Sequence, residues 1–133
     1  MKITEMPWIG AALAEQLAAR EIVTGNDLLA RAGSLEGRLR LAAVLGITEE
    51  LILGWVNRIE LLRIDGIDAR HVHLLAAAGI DGRAELARHD PVGLAATLDE
   101  LNRTRATMPE APVAAQVARW IAAAREDRED EEA

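Results

Sequence analysis

Cysteine, phenylalanine and tyrosine are absent from this 133-residue chain. Lysine and serine occur once each, as Lys2 and Ser34. Without cysteine there is no disulfide, no thiolate metal site and no thiol nucleophile. A serine nucleophile with an ordered base is not expected either, because Ser34 stands in a helix-capping position. With no Phe or Tyr, any base-stacking platform rests on the three tryptophans. No apolar run approaches the roughly 20 residues that span a bilayer. The N-terminus lacks the charged, apolar and cleavage regions of a signal peptide, so a soluble cytoplasmic protein is expected.

What is present is Ala, Leu, Ile and Val, within an apolar fraction of 50%. Many alanines and few β-branched runs favour closely packed helices over sheet. Net charge is −7. Residues 125–133 hold acids at 126, 127 and 129–132 against Arg125 and Arg128, so the body before them is only mildly acidic. General affinity for nucleic acid is not expected, because nonspecific binding rests on neutralising phosphates.

Apolar residues recur at helical spacing, with no period-two segment. The first helix is predicted from Ile9 to Arg20. Thr24 with Asp27 reads as a capping-box start for a short second helix. Ser34 starts a third, carrying Leu35, Leu39, Ala42 and Ala43, and Gly46 ends it in the left-handed conformation. Thr48 with Glu49 and Glu50 starts a fourth, whose stripe is Ile52, Trp55, Val56, Ile59 and Leu62. The fifth runs from Asp68 to Gly79, and Gly82 caps a short sixth. Asp90-Pro91 opens the seventh, with Leu94, Leu98 and Leu101. The eighth starts at Pro112 and buries Val113, Val117, Trp120, Ile121 and Ala124.

Residues 6–30 align with 64–88, pairing Ile9 with Ile67, Leu17 with Leu75, Ile22 with Ile80 and Leu28 with Leu86. Two related helical hairpins follow from this, each opening on Met6–Gly10 or Ile64–Asp68. The chain also carries Leu45-Gly46-Ile47-Thr48-Glu49-Glu50-Leu51-Ile52-Leu53, Trp55-Val56-Asn57-Arg58, Leu75-Ala76-Ala77-Ala78-Gly79-Ile80-Asp81 and Trp120-Ile121. In this ordered set it resembles, over about residues 3–125, the bacterial helix-hairpin-helix-like family known as domain of unknown function 4332. The resemblance implies tandem helix-hairpin-helix-like units and no activity, since that family has no established catalytic or binding residues. The expected fold is all-α, a compact bundle of about eight short helices. Repeat one lies at about 6–32, bridging helices at 34–62, repeat two at 64–90 and C-terminal helices at 91–125. Residues 1–125 form one domain in this reading, and 126–133 an acidic, solvated tail.

A typical family hairpin reads Ile-x-Gly-Ile-Gly. Here Trp8 replaces the first glycine of copy one, Asp68 replaces the second of copy two, and Glu21 stands where a helix-ending glycine belongs. In hairpins that bind DNA, such glycines admit phosphate to amides at a helix N-terminus. Trp8 crowds that approach and Asp68 opposes it with a carboxylate. The expected function is therefore a noncatalytic adaptor or scaffold module, binding a protein partner or itself through Trp8, Pro7 and Ile9. Trp8 is either exposed there or packed on the neighbouring unit, whereas Trp55 and Trp120 belong to the core.

The alternative is sequence-independent nucleic-acid binding through Gly66, Ile67, Arg63 and Arg70. It is distinguished by any clustering of Arg63, Arg70, Arg83, Arg88, Arg103 and Arg105. No catalytic residue, metal or cofactor is expected. His71 and His73 are two apart on a helix and diverge, which is the wrong spacing for a shared metal.

Overall fold

The computed structural model describes residues 1–132, with side chains through residue 126. Eight α-helices and a short 3-10 turn over Ile3–Glu5 account for its regular structure. Among the described residues there is no strand, only an isolated antiparallel bridge between Lys2 and Thr24. The chain divides into two compact units, Met1–Ile59 and Glu60 onward, with the division inside one helix.

The first unit holds α1 (Ala11–Ala18), α2 (Gly25–Ala32), α3 (Leu35–Leu45) and most of α4 (Glu49–Leu62). Local signals set its helix ends. Thr24 Oγ1 accepts from the Asp27 amide, and the Asp27 carboxylate accepts from the amides of Val23 and Thr24. These amide bonds hold the Asp27 carboxyl below its ordinary pKa. Ser34 Oγ accepts from the Gly37 amide, Thr48 Oγ1 from the Leu51 amide, and Gly46 ends α3 at φ +69°. The core gathers Ile3, Leu17, Ile22, Leu28, Ile52 and Trp55, all nearly inaccessible to solvent. Arg38 ties three helix ends together: Nε meets Glu49 at 2.6 Å, and Nη1 donates to the carbonyls of Ala32 and Gly33.

The second unit holds α5 (Ala69–Ala77), α6 (Arg83–Leu86), α7 (Pro91–Arg105) and α8 (Ala114–Glu132). Here α8 packs on α6 and α7, and α7 also packs on α5. Asp90 caps α7 through the Gly93 amide, with Pro91 at the first helical position. Trp120, Leu61, Leu74, Leu75, Ile80 and Leu86 are its most buried large side chains.

Two expectations need correction. Leu35, Leu39 and Val113 are exposed, at 56%, 53% and 66%. In α3 the buried face is instead Leu41, Ala42 and Leu45. In a short helix with four leucines several apolar stripes compete, and packing selects one. The segment between α7 and α8 begins at Ala106, which sits at φ +49°. The backbone of α8 is helical to Glu132, beyond the Arg125 end that the apolar period marks. Arg, Glu and Asp there carry no apolar stripe, but Arg and Glu are good helix formers. The proposed tail side chains after Glu126 lie outside the described residues.

Candidate interaction site beside the first helix

The turn leading into α1 is closed by two backbone bonds, Met6 N–H to Ile3 carbonyl and Ile9 N–H to Met6 carbonyl. Gly10 then caps α1 at φ +86°. Ile3, Met6 and Ile9 point inward and are buried. Ile9 is therefore part of the core and offers no free side chain, unlike the surface role expected of it.

Trp8 is half-buried, and its Nε1 is enclosed without a hydrogen-bond partner among the described residues. The Arg58 guanidinium stands 6.0 Å from its ring centroid, at the outer reach of a cation–π contact. So Trp8 closes against its own unit and does not stand out as a bare anchor. Pro7 alone of the expected trio is exposed. It lines a groove of about 410 Å³ with Ile3, Met6, Gly10, Ala11, Ala14 and Ala18, edged by Thr4 and Glu15. Alanines in an alanine-rich chain carry almost no sequence signal, and for that reason this groove was not legible beforehand.

The turn leading into α5 differs in kind. Ile67 is buried, and its amide donates to the Ile64 carbonyl. Gly66 sits at φ +89°, and a Cβ there would lie 3.2 Å from Trp120 Nε1. A close-packed indole, as well as the turn, thus calls for glycine here. Asp68 Oδ1 accepts from the amides of Arg70 and His71, and Oδ2 from Arg70 Nη2. Burial opposes its ionisation, but these bonds outweigh burial and hold its pKa below the ordinary value. The amides that a phosphate would seek are already taken.

Four of the six arginines considered for nucleic acid have a neighbouring carboxylate or carbonyl as partner. Arg63 lies 3.6 Å from Glu60, and Arg83 Nε donates to the Glu60 carbonyl. Arg70 pairs with Asp68, and Arg103 with Asp99.

His71 is buried with its ring edge-on to Trp120, centroids 4.9 Å apart. Its Nδ1 accepts from the Asp68 amide, which requires an unprotonated nitrogen there. Burial lowers its pKa from the ordinary 6.5, against the pull of Asp68. His73 is exposed on the same helix. Among the described residues no three His, Asp or Glu side chains gather to hold a metal ion. No helix among them is long and apolar enough to cross a membrane.

A family model described as a domain of unknown function, DUF4332, matches residues 7–127. No curated protein and no solved structure matches the chain.

Proposed function

The chain belongs to the DUF4332 family, and because that description names no activity, we propose from the geometry that it is a noncatalytic interaction module. It binds a protein partner or a second copy of itself through the groove beside the first hairpin. The observation that carries this reading is the groove itself, apolar in its floor and open at the surface along α1. Pro7 remains a contact residue, Trp8 is closed against Arg58, and Ile9 holds the turn to the core. The reading extends to a cytoplasmic location and a bacterial origin, as the sequence suggested. Nucleic-acid binding through Gly66, Ile67, Arg63 and Arg70 is the less favoured reading, given the local acids that already engage Arg63 and Arg70.

We also infer that the chain is an internal duplication, and that the repeated unit is four helices and not a two-helix hairpin. Support comes from bonds that recur between the halves. Ile22 N–H donates to Leu17 carbonyl as Ile80 N–H does to Leu75 carbonyl. The Val23 amide donates to Asp27 as the Asp81 amide does to Glu85. Glu21 and Gly79 both take positive φ. Ser34 caps onto Gly37 as Asp90 caps onto Gly93, and Gly46 and Ala106 both end their helices left-handed. In that register buried Ala42 answers to buried Leu98. Buried Ile52, Trp55, Val56 and Ile59 answer to Val117, Trp120, Ile121 and Ala124.

Under this alignment Ala14 corresponds to Val72, and the smaller side chain helps leave the first groove open. The Ala14→Val variant places the counterpart's residue in the groove and should leave helix content unchanged. It should weaken partner capture and self-association about five-fold or more. Ala11→Arg, at an exposed position on the same lining, provides a second variant. Unchanged partners and unchanged sedimentation in both would reject the groove as the binding surface.

A further inference from the structure

Away from both hairpin turns, a smaller pocket opens where the end of α1 meets α2 and α3. It has a volume of about 170 Å³ and is lined by Arg20, Arg31, Gly37, Arg40, Leu41 and Val44. Three arginines converge on one pocket in a chain of net charge −7, and no carboxylate is among the lining residues. Helical periodicity along any single element does not show this cluster, because each arginine comes from a different helix or helix end.

Two of the guanidiniums are anchored by neutral acceptors. Arg20 Nη1 donates to the Gln16 carbonyl at 3.0 Å, and Arg31 Nη2 donates to the Arg20 carbonyl at 3.1 Å. A carbonyl fixes a guanidinium in place without cancelling its charge, and each guanidinium has further N–H donors to offer. Gly37 makes the arrangement possible, since a Cβ there would lie 2.1 Å from the Arg31 carbonyl oxygen. Its absence lets α3 pass close against the end of α2 and brings Arg40 to the same pocket.

Carboxylates bear on two of these arginines. Asp27, one turn before Arg31, feels its charge. Arg40 pairs with Glu36, but both side chains are 75% exposed, so this pair is weakly held and easily exchanged.

Size and charge select the ligand class. Pockets for drug-sized ligands run from about 300 to 1,000 Å³. This one takes a single compact anionic group and not a base or sugar as well. A phosphate monoester carries close to two negative charges near neutral pH and three free oxygens. It can therefore accept from three guanidinium forks at once, whereas a carboxylate has two oxygens and one charge. We propose that this pocket binds a phosphate monoester group, with Arg20 and Arg31 as fixed donors and Arg40 as the mobile one that exchanges Glu36 for the ligand. The proposal is independent of the groove at the first hairpin.

The test follows the arginine Nε–H signals of the full chain by nuclear magnetic resonance. Inorganic phosphate, glycerol phosphate, a short single-stranded oligonucleotide and a glutamate-rich peptide are titrated in turn at constant ionic strength. The expected result is saturable movement of the Arg20, Arg31 and Arg40 signals with inorganic phosphate and glycerol phosphate. Affinity should fall at least ten-fold in Arg31→Gln and in Arg40→Gln, two exposed positions whose spectra report whether the fold is kept. Equal movement with chloride alone, or equal affinity in both variants, would overturn the proposal. Tighter binding of the oligonucleotide would reassign the pocket to a phosphodiester backbone, and tighter binding of the peptide to carboxylates. Either outcome rejects the monoester. Glycerol phosphate binding above inorganic phosphate would locate the phosphate on an organic ester, and equal affinities would locate it in the free ion.

Discussion

His71 illustrates how one side chain can hold a turn and a helix start together. It stands at the third helical position of α5, where its Nδ1 completes a capping box with Asp68. Protonation removes that acceptor and places a charge beside Trp120. Because the folded-state pKa lies below 6.5, the unfolded chain takes up the proton first as pH falls. Stability is therefore full above 6.5, declines below it, and levels off once the folded-state value is passed. Chemical denaturation between pH 7.5 and 5 should show this decline. His71→Gln, which keeps an acceptor of the box, should show less of it.

Glu21 is the second telling residue. It adopts φ +64°, in the left-handed region that Gly79 reaches at +83° without a side chain. A non-glycine residue in the left-handed region costs roughly 1 kcal/mol, partly offset by the greater freedom glycine gains when unfolded. Glu21→Gly should therefore stabilise the protein by up to about 1 kcal/mol in thermal or denaturant unfolding. A loss of stability would mean that the Glu21 side chain holds more than its backbone suggests.

At the scale of elements, the end of α7 shows what a single buried amide contributes. Asn102 is 9% exposed. Its Nδ2 donates to the Met108 carbonyl at 2.9 Å, while its Oδ1 accepts from the Met108 amide at 3.0 Å. Its own carbonyl accepts from the Ala106 amide. The irregular segment before α8 is thus braced as if by one more pair of strand bonds. Asn102→Ala leaves both Met108 groups without a partner and should cost about 2–3 kcal/mol. Hydrogen exchange should report the loosening first at Met108. In the first unit Arg38 has a comparable task, reaching from α3 to the carbonyls that end α2 and to Glu49 at the start of α4.

At the scale of the whole molecule, the division at Ile59 and Glu60 gives each half its own set of buried residues. A fragment of residues 1–62 should keep helical circular dichroism and unfold at a lower temperature than the full chain. A domain of about 60 residues buries a smaller fraction of its surface and is correspondingly marginal. Complete loss of helix in the fragment would contradict the independence of the first unit.

Local chemistry made much of this architecture legible in advance. Thr24 with Asp27, Ser34, Asp68 and Asp90 act through bonds that span only two to four residues, so their helix starts follow from sequence. Trp55 and Trp120 lie in clean apolar stripes and are buried at 1% exposure each. Composition likewise excludes thiol chemistry and disulfides, because the chain has no cysteine. Long-range packing decided the rest. It chose Leu41 over Leu39 for the core, turned Trp8 against Arg58, and made Gly66 a close neighbour of Trp120. It also left the alanine face of α1 open as a groove and gathered Arg20, Arg31 and Arg40 around one pocket. Caps and periodicity are properties of neighbouring residues, whereas a groove or a charge cluster exists only where separate helices meet.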